Sequence, residues 1–331
     1  MKLQSLLSAG FFGRQYHPDM ILSVNTISSP FRGTQIVYAL GEDVCNAPDV
    51  RPLSLGDLIG KGVHVWSYLW PLVPSCLSFL DFHAESRALS FREASFISFL
   101  GQLWKSDWSA SRDATPYDVT FEAAEEREDA GEGATNPRTY YRSHCATMGM
   151  SDEHSSNGGV TFSLLQKAVF WPLYLSSRTI SAFDFSVLRP TPRFLNAIAA
   201  THPSSGGGKD RIEDGIVNVD EGAGYVSNAL RANDGVVPLF SQWHPCDCEN
   251  TLCRHYNHGE GILDSPEKTP HDTPPEAGVW HVHELQDAHH LSVVPIWVGS
   301  GRQKAFWRDL GQWLRAIDSA RVDDVIAAFE A

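Results

Sequence analysis

Two side chains of this sequence, Asp234 and His290, have neighbours that suit acid–base chemistry. Asp234 lies within residues 233–238 (NDGVVP), where an element should end in a turn that directs a carboxylate into a cleft. His290 follows residues 278–283 (GVWHVH), an apolar and aromatic run that is typical of a strand. A carboxylate that holds an imidazole allows the ring to act as a general base. An acid followed by a histidine, late in an α/β chain, matches the second half of a Ser–Asp–His order.

The nucleophile that would come first in such an order is not found in this sequence. A catalytic serine on a strand-to-helix turn has the pattern Gly-x-Ser-x-Gly. Neither that pattern nor its Ala-x-Ser-x-Gly variant occurs between Met1 and Ala331. The residues after Met1 resemble the middle of an amphipathic helix more than a signal peptide, because their apolar part is short and is interrupted by Gln4 and Ser5. We therefore expect the sequence to be truncated at its N-terminus, with the serine turn upstream of Met1.

Hydrophobic patterning indicates the elements that must position these two side chains. Residues 20–27 and 139–143 have the composition of short strands. Residues 91–104 and 304–317 carry apolar side chains at helical spacing, and residues 160–175 form an apolar helix or strand. Strands that alternate with helices favour an α/β layered fold.

Composition and charge limit the classes of function. The 331 residues, of which 42% are hydrophobic and 20% are charged, fit an ordinary globular protein. Their number allows one large domain or two smaller ones, and we predict a single domain over residues 1–331. A formal net charge of −14 argues against a nucleic-acid partner, since phosphate binding needs clustered lysine and arginine. The sequence has no run of roughly twenty apolar residues, so we predict no membrane-spanning helix. Surface loops are predicted at residues 121–137, where a helix runs into the loop, and at residues 203–213 and 259–277. Localisation and oligomeric state are left unassigned.

Short motifs along the chain carry a resemblance to one family. Residues 23–34 are similar to the pattern S-V-T-T-I-A-T-P-H-x-G-T, and residues 80–82 are similar to Y-D-F. Residues 108–120, 233–245 and 278–290 follow with likenesses to W-x-S-T-D…Y-D-L-T, N-D-G-(I/L)-V…S-x-Q-H-P and G-(I/V)-W…D-H. In this order the motifs resemble roughly the downstream two-thirds of the bacterial triacylglycerol lipases of the thermophilic Bacillus/Geobacillus and staphylococcal type.

The resemblance implies an α/β-hydrolase fold, a central and mostly parallel sheet with flanking helices, here lacking the N-terminal strands and the nucleophile elbow. It implies lipids or other acyl esters as substrates. Asp234 would orient the imidazole of His290, which would take the proton of the serine and return one to the leaving alcohol. Loss of one oxyanion-hole donor alone costs about 10²–10³ in rate, so we expect this chain to be inactive by itself. The alternative is a non-catalytic relative that binds an apolar ligand or a protein partner.

Both members of the proposed pair have rivals. Asp214 lies in a similar sequence (DGIVN), but it lacks the preceding asparagine and the following Ser-Gln-x-His-Pro of Asp234. His289 stands where the family has aspartate, and either it or His281 and His283 could be structural. We prefer His290 because its spacing from residues 278–280 and the leucine after it match the family pattern.

The family's metal sites are poorly represented. Asp113 matches a carboxylate that binds zinc in the family, but the other ligands lie upstream of the serine, and one carboxylate cannot hold a zinc ion. A solvated loop aspartate is therefore the favoured interpretation for the isolated chain. Ser292 and Trp297 replace the glutamate and aspartate of the family's calcium site, which argues against calcium. The proposed chemistry itself requires no cofactor.

A second group of metal-type side chains lies between His244 and His258. Cys246, Cys248, Cys253 and His255 belong to it and could bind a structural zinc ion. They could equally include a disulfide from Cys246 or Cys248 to Cys253, which is favoured if the protein is exported. The spacing is not the paired C-x₂-C of a zinc ribbon, so both alternatives stay open.

Residues 41–79 lie where the family keeps its lid. An apolar and aromatic segment that is interrupted by glycine and proline suits a cover that opens on lipid. Packing in the core explains Trp66 and Trp70 equally well.

Overall fold

A parallel sheet forms the centre of the molecule in the computed structural model. Its strands are β1 (Ser23–Ile27), β2 (Tyr140–Ala146), β3 (Cys253–His258) and β4 (Trp280–Leu285). Each strand pairs with its neighbours in parallel, in the order β1-β2-β4-β3. This confirms the predicted α/β class with a parallel sheet. The structure describes residues 1–74, 88–104, 111–112, 115–148, 170–189, 191–193, 228–246, 248, 250–258, 275–294 and 301–330.

Helices surround this sheet and occupy most of the described connections. Two helices differ in length from their predictions. The helix predicted at residues 91–104 begins at Phe96, and the helix predicted at residues 304–317 runs from Gly301 to Glu330. The apolar run 160–175 contributes a helix from Trp171, and its earlier residues lie outside the described part. The helices are α1 (Lys2–Ser8), α2 (Ile36–Leu40), α3 (Leu55–Leu69), α4 (Phe96–Trp104), α5 (Thr115–Asp118), α6 (Phe121–Asp129), α7 (Trp171–Ser181), α8 (Asn228–Arg231), α9 (Leu239–Gln242) and α10 (Gly301–Glu330).

The two faces of the sheet bury different side chains, because successive residues of a strand point to opposite sides. On one face Tyr141, Trp280 and Val282 pack into the main core with Phe240 and Trp243. The complete burial of one large apolar side chain contributes about 1.5–3 kcal/mol, so this aromatic layer is a major source of stability.

The opposite face of the sheet is covered by helix α10. His144 packs edge-on against Phe306, and His281 packs edge-on against Trp313. Burial lowers the pKa of His281 to about 4, with further contributions from the nearby Arg254 and Arg142. His281 is therefore a neutral packing residue of this face.

Helix α6 occupies the first part of residues 121–137, where a helix that runs into a surface loop is predicted. The first nine residues of this segment are helical, and the side chain of Phe121 is fully buried. Thr120 caps this helix by accepting a hydrogen bond from the backbone N–H of Ala123. Only the residues after Asp129 form turns. The predicted loop 203–213 and most of the loop 259–277 lie outside the described residues.

Helices α3 and α4 present apolar side chains to solvent. Ile97 and Trp104 of α4 are 82% and 91% exposed, and Leu55 and Leu58 of α3 are also exposed. The two helices contact each other through the stacked rings of Tyr68 and Phe99, whose centroids are 4.2 Å apart. Residues 75–79, the end of the predicted lid, lie outside the described part. No helix among the described residues is long and apolar enough to cross a membrane.

Candidate active site

Asp234 is held in a tight turn between helices α8 and α9. Its Oδ1 accepts hydrogen bonds from the backbone N–H groups of Val236 at 2.9 Å and Val237 at 2.8 Å. Gly235 follows with φ +91°, a conformation that L side chains rarely adopt, and a Cβ at this position would lie 2.8 Å from the carbonyl oxygen of Leu173. The Asp234 side chain is fully buried, so both carboxylate oxygens need partners within the protein. The turn supplies the partners of Oδ1, and Oδ2 is available to another residue.

His290 supplies that partner. The Nδ1 of His290 lies 2.8 Å from Oδ2 of Asp234, and the backbone N–H of His290 donates to the carbonyl oxygen of Asp234 at 2.9 Å. An ionised carboxylate can only accept, so Nδ1 donates its proton to Asp234, and in the neutral imidazole the lone pair is then on Nε2. The imidazole side chain is 29% exposed, in contrast to the fully buried carboxylate. Within the described residues no serine hydroxyl hydrogen-bonds to Nε2.

The turn that carries Asp234 is fixed to the end of strand β2. The side-chain amide of Gln242 bonds to both the N–H and the carbonyl of Ala146, and it also donates to the carbonyl oxygen of Val237 at 3.0 Å. The backbone N–H of Met148 donates to the carbonyl oxygen of Asn233 at 2.8 Å. These bonds place Asp234 at the carboxyl end of the parallel sheet, the edge where open α/β sheets bind ligands.

His290 reaches the same edge from strand β4. The strand ends at Leu285, and a short connection carries the chain to the histidine. Arg302 of helix α10 donates to the carbonyl oxygens of Gln286 and Asp287 in this connection. Two strands that are adjacent in the sheet therefore bring together residues 56 positions apart.

His289 lies in a different environment from His290. Its ring packs against Phe170 with centroids 4.2 Å apart, and its Nδ1 accepts the backbone N–H of Leu291 at 3.2 Å. Burial lowers the pKa of His289 to about 4. His289 therefore acts as a buried structural side chain, and it is His290 that reaches Asp234. The rival carboxylate Asp214 lies outside the described residues.

Of the positions that correspond to the family's metal sites, the structure describes Ser292. Asp113 and Trp297 lie outside the described residues. Ser292 accepts the backbone N–H of His289 through its hydroxyl at 2.8 Å, which makes it part of the turn that holds the two histidines.

A cluster of cysteine and histidine side chains lies elsewhere, near the start of strand β3. The ligand atoms of His244, Cys248, Cys253 and His255 all lie within 4.8 Å of one another. Hydrogen bonds with Cys253, His244 and His255 lower the pKa of the Cys248 thiol below its usual value. This group could hold a metal ion. Cys246, predicted from the sequence as a possible ligand, is not part of it, and His244 takes its place.

Comparisons with known proteins concern the fold. No family model and no curated protein matches the chain. Among solved structures, a lipase from Staphylococcus hyicus is similar with a TM-score of 0.54 and 16% sequence identity, over 90% of this chain and 58% of that one. EstA from Clostridium botulinum (TM-score 0.42, 16% identity, 87% of this chain and 52% of that one) and lipase 1 from Pelosinus fermentans (0.42, 14%, 87% and 58%) are also similar.

The likeness to the Staphylococcus hyicus lipase is consistent with the predicted α/β-hydrolase fold. At 16% identity this likeness is evidence for the fold and not for a function. The chain spans 58% of that lipase, a little more than half of its length.

Proposed function

We propose that this chain supplies the aspartate and the histidine of a Ser–Asp–His ester hydrolase. The observation that carries the proposal is the 2.8 Å contact between Oδ2 of Asp234 and Nδ1 of His290, at the carboxyl end of the sheet. The fold likeness to a lipase supports the same class of chemistry. The substrate class would be carboxylic esters of long-chain acids, including triacylglycerols.

We assign a separate task to each of the two side chains. Nε2 of His290 would accept the proton of a serine hydroxyl as the oxygen attacks the ester carbonyl. The imidazolium that forms would be stabilised by Asp234, whose charge is buried and therefore weakly screened. The histidine would then deliver the proton to the leaving alcohol, and a water molecule would release the acid from the acyl-enzyme by the same steps. No step needs a metal or an organic cofactor.

The serine in this proposal is not one of residues 1–331. No Gly-x-Ser-x-Gly turn occurs among them, and we propose that these residues alone do not hydrolyse esters. Helix α1 is anchored next to strand β2, because the Gln4 side chain accepts from the hydroxyl of Tyr141 at 2.7 Å and donates to Thr139 at 3.0 Å. A serine elbow that leads into α1 would therefore be attached to the central sheet.

The exposed apolar side chains of α3 support the lid prediction for residues 41–79. Leu55 and Leu58 lie largely in solvent, where they suit a surface that rearranges on contact with lipid. Trp66 and Trp70 are half-buried and pack on each other, with ring centroids 6.1 Å apart. The same apolar surface also fits the alternative function, a non-catalytic relative that binds an apolar ligand.

Expression with and without additional sequence tests the proposal. The chain is produced alone and joined to the in-frame coding sequence upstream of Met1, and hydrolysis of short-chain and long-chain esters is measured. We expect activity only in the extended protein, and loss of at least about 10³-fold in its His290→Asn variant. An upstream segment without a Gly- or Ala-x-Ser-x-Gly turn would favour the non-catalytic alternative.

A neighbouring histidine provides the matched control. His289→Asn keeps an acceptor for the backbone N–H of Leu291, and it should retain most of the activity of the extended protein. Hydrolysis by the unextended chain that disappears in His290→Asn would show that the predicted inactivity is wrong. Full activity of His290→Asn in the extended protein would contradict the assignment of the base.

A further inference from the structure

The cysteine–histidine cluster has the dimensions of an occupied metal site. The Sγ of Cys248 lies 3.4 Å from Nε2 of His244 and 3.4 Å from Nε2 of His255. Around a tetrahedral zinc ion with ordinary bond lengths, ligand atoms are separated by roughly 3.3–3.8 Å. The Sγ of Cys253 completes the group, in which every pair of ligand atoms lies within 4.8 Å. Small movements of side chains would therefore bring all four to one ion.

Two features of the protein prepare these side chains for coordination. The Nδ1 of His244 lies 3.0 Å from the carbonyl oxygen of Pro245, so Nδ1 donates its proton there and Nε2 is the nitrogen available to a metal ion. Cys253 and His255 are two positions apart on strand β3, which places both side chains on the same face of the sheet. The ring of His255 packs edge-on against Trp243, with centroids 5.1 Å apart.

The ligand set favours zinc among the common metals. Two thiolates and two imidazoles in a tetrahedral arrangement are typical of structural zinc, whereas magnesium and calcium prefer oxygen ligands. Cys248 and Cys253 are both free thiols in the structure. Each would give up its proton to solvent when the ion binds. Four protein ligands would leave no open position for a substrate or a reactive water molecule.

We propose that His244, Cys248, Cys253 and His255 bind one zinc ion, which ties strand β3 to the segment that follows helix α9. Strand β3 is the last strand in the order of the described sheet and pairs only with β4 there. His244 comes two residues after Gln242, the side chain that anchors the Asp234 turn. The ion would stabilise this region of the fold without taking part in the chemistry at His290.

Metal analysis of the purified chain tests the site directly. The reduced protein is prepared with zinc, dialysed, and its metal content is measured by mass spectrometry. We expect about one zinc ion per chain, and less than a tenth of that in Cys248→Ser and Cys253→Ser. Cys246→Ser is the matched control, because it removes a nearby cysteine that is not one of the four ligands, and it should keep the full zinc content.

Cobalt provides a spectroscopic readout that does not depend on the stability of a variant. Cobalt added to the wild-type chain should give intense tetrahedral d–d bands and a thiolate charge-transfer band. His255→Cys should keep the ion and strengthen the charge-transfer band, because it adds a third thiolate.

Several results would overturn the site. These are a wild-type chain without zinc or tetrahedral cobalt bands, an undiminished zinc content in Cys248→Ser and Cys253→Ser, or a Cys248–Cys253 disulfide in the mass of the isolated protein. None of these readouts involves ester hydrolysis, so the zinc site and the proposed function can fail independently.

Discussion

The Asp234–His290 pair and the cysteine–histidine cluster place histidines at two ends of the same sheet, and they differ in how many bonding positions are filled. Among the described residues the side chain of His290 has one partner, Asp234, and its partly exposed ring leaves Nε2 for a further group. In the cluster, His244 is buried, its Nδ1 faces a carbonyl oxygen, and its Nε2 faces a cysteine. An open position suits a reacting atom, whereas a closed set of four ligands suits structure. The residue type alone does not decide between these roles.

The substitution Asp234→Asn changes only the Asp234–His290 pair and should have the greatest effect. In the extended, active protein it should lower kcat/KM by about 10³–10⁴, because an amide that donates to Nδ1 favours the wrong tautomer of the histidine. The zinc content of the variant should stay at the wild-type value. Activity within tenfold of wild type would contradict the proposed role of Asp234.

A substitution of Cys253 affects only the cysteine–histidine cluster. Cys253→Ser should remove the ion and lower the free energy of unfolding by about 4 kcal/mol, the contribution of a ligand present at roughly a thousand times its dissociation constant. Thermal unfolding with and without a chelator measures this, and the chelator should have no effect on the variant. Cys45→Ser, at an exposed cysteine, is the control. An equal response of wild type and Cys253→Ser to the chelator would argue against a structural ion.

The substitution Gly235→Ala tests how strictly the turn positions Asp234. Gly235→Ala should cost about 2–3 kcal/mol and displace the Asp234 turn, because the residue has φ +91° and an added Cβ would meet the backbone of Leu173 at 2.8 Å. Gly131→Ala has a similar φ of +73° but open space around it, so it should cost only about 1 kcal/mol. Denaturant unfolding of both variants gives the difference. Equal costs would show that the close approach to Leu173 is unimportant.

The smallest expected effect concerns the titration of Glu42, which belongs neither to the Asp234–His290 pair nor to the cysteine–histidine cluster. Burial, with help from Asp49, Asp43 and Glu122, raises the pKa of Glu42 from 4.5 to about 7. The folded state therefore favours the protonated form, and the stabilisation that this group gives below pH 4.5 is lost as the pH rises through about 7.

The substitution Glu42→Gln isolates this titration. It should leave stability unchanged at low pH, flatten the decline between pH 5 and 7, and raise the free energy of unfolding at pH 8 by about 1–2 kcal/mol. Denaturant unfolding as a function of pH, in wild type and variant, measures it. A variant whose pH profile matches that of wild type would contradict the shift.

The sequence predicted the part of this comparison that rests on chain order and local pattern. The α/β class could be predicted from strand-like runs that alternate with helical ones, whereas the parallel sheet was implied by the resemblance. The preference for His290 over His289 also came from the resemblance, because residue types alone do not give the direction of each ring. The membership of His244 in the cluster depended on a contact across nine residues to Cys253.

Cys246 shows why spacing alone misassigns a ligand. It lies between His244 and Cys248 in the sequence, but its backbone has a φ of +62° and its N–H donates to Glu128 at 2.8 Å. The turn that results leaves Cys246 outside the group of four ligands. Backbone conformations of this kind are set by tertiary contacts, which a pattern of residue types does not contain.

Proton NMR of the chain of 331 residues probes the hydrogen bond between Asp234 and His290 itself. A proton on Nδ1 of His290 that is held by the buried carboxylate of Asp234 should give a resonance far downfield, protected from exchange at low temperature. We expect this signal in wild type and in His289→Asn, and we expect it to disappear in both His290→Asn and Asp234→Asn. A downfield signal that survives in Asp234→Asn, or a wild-type spectrum without one, would contradict this prediction.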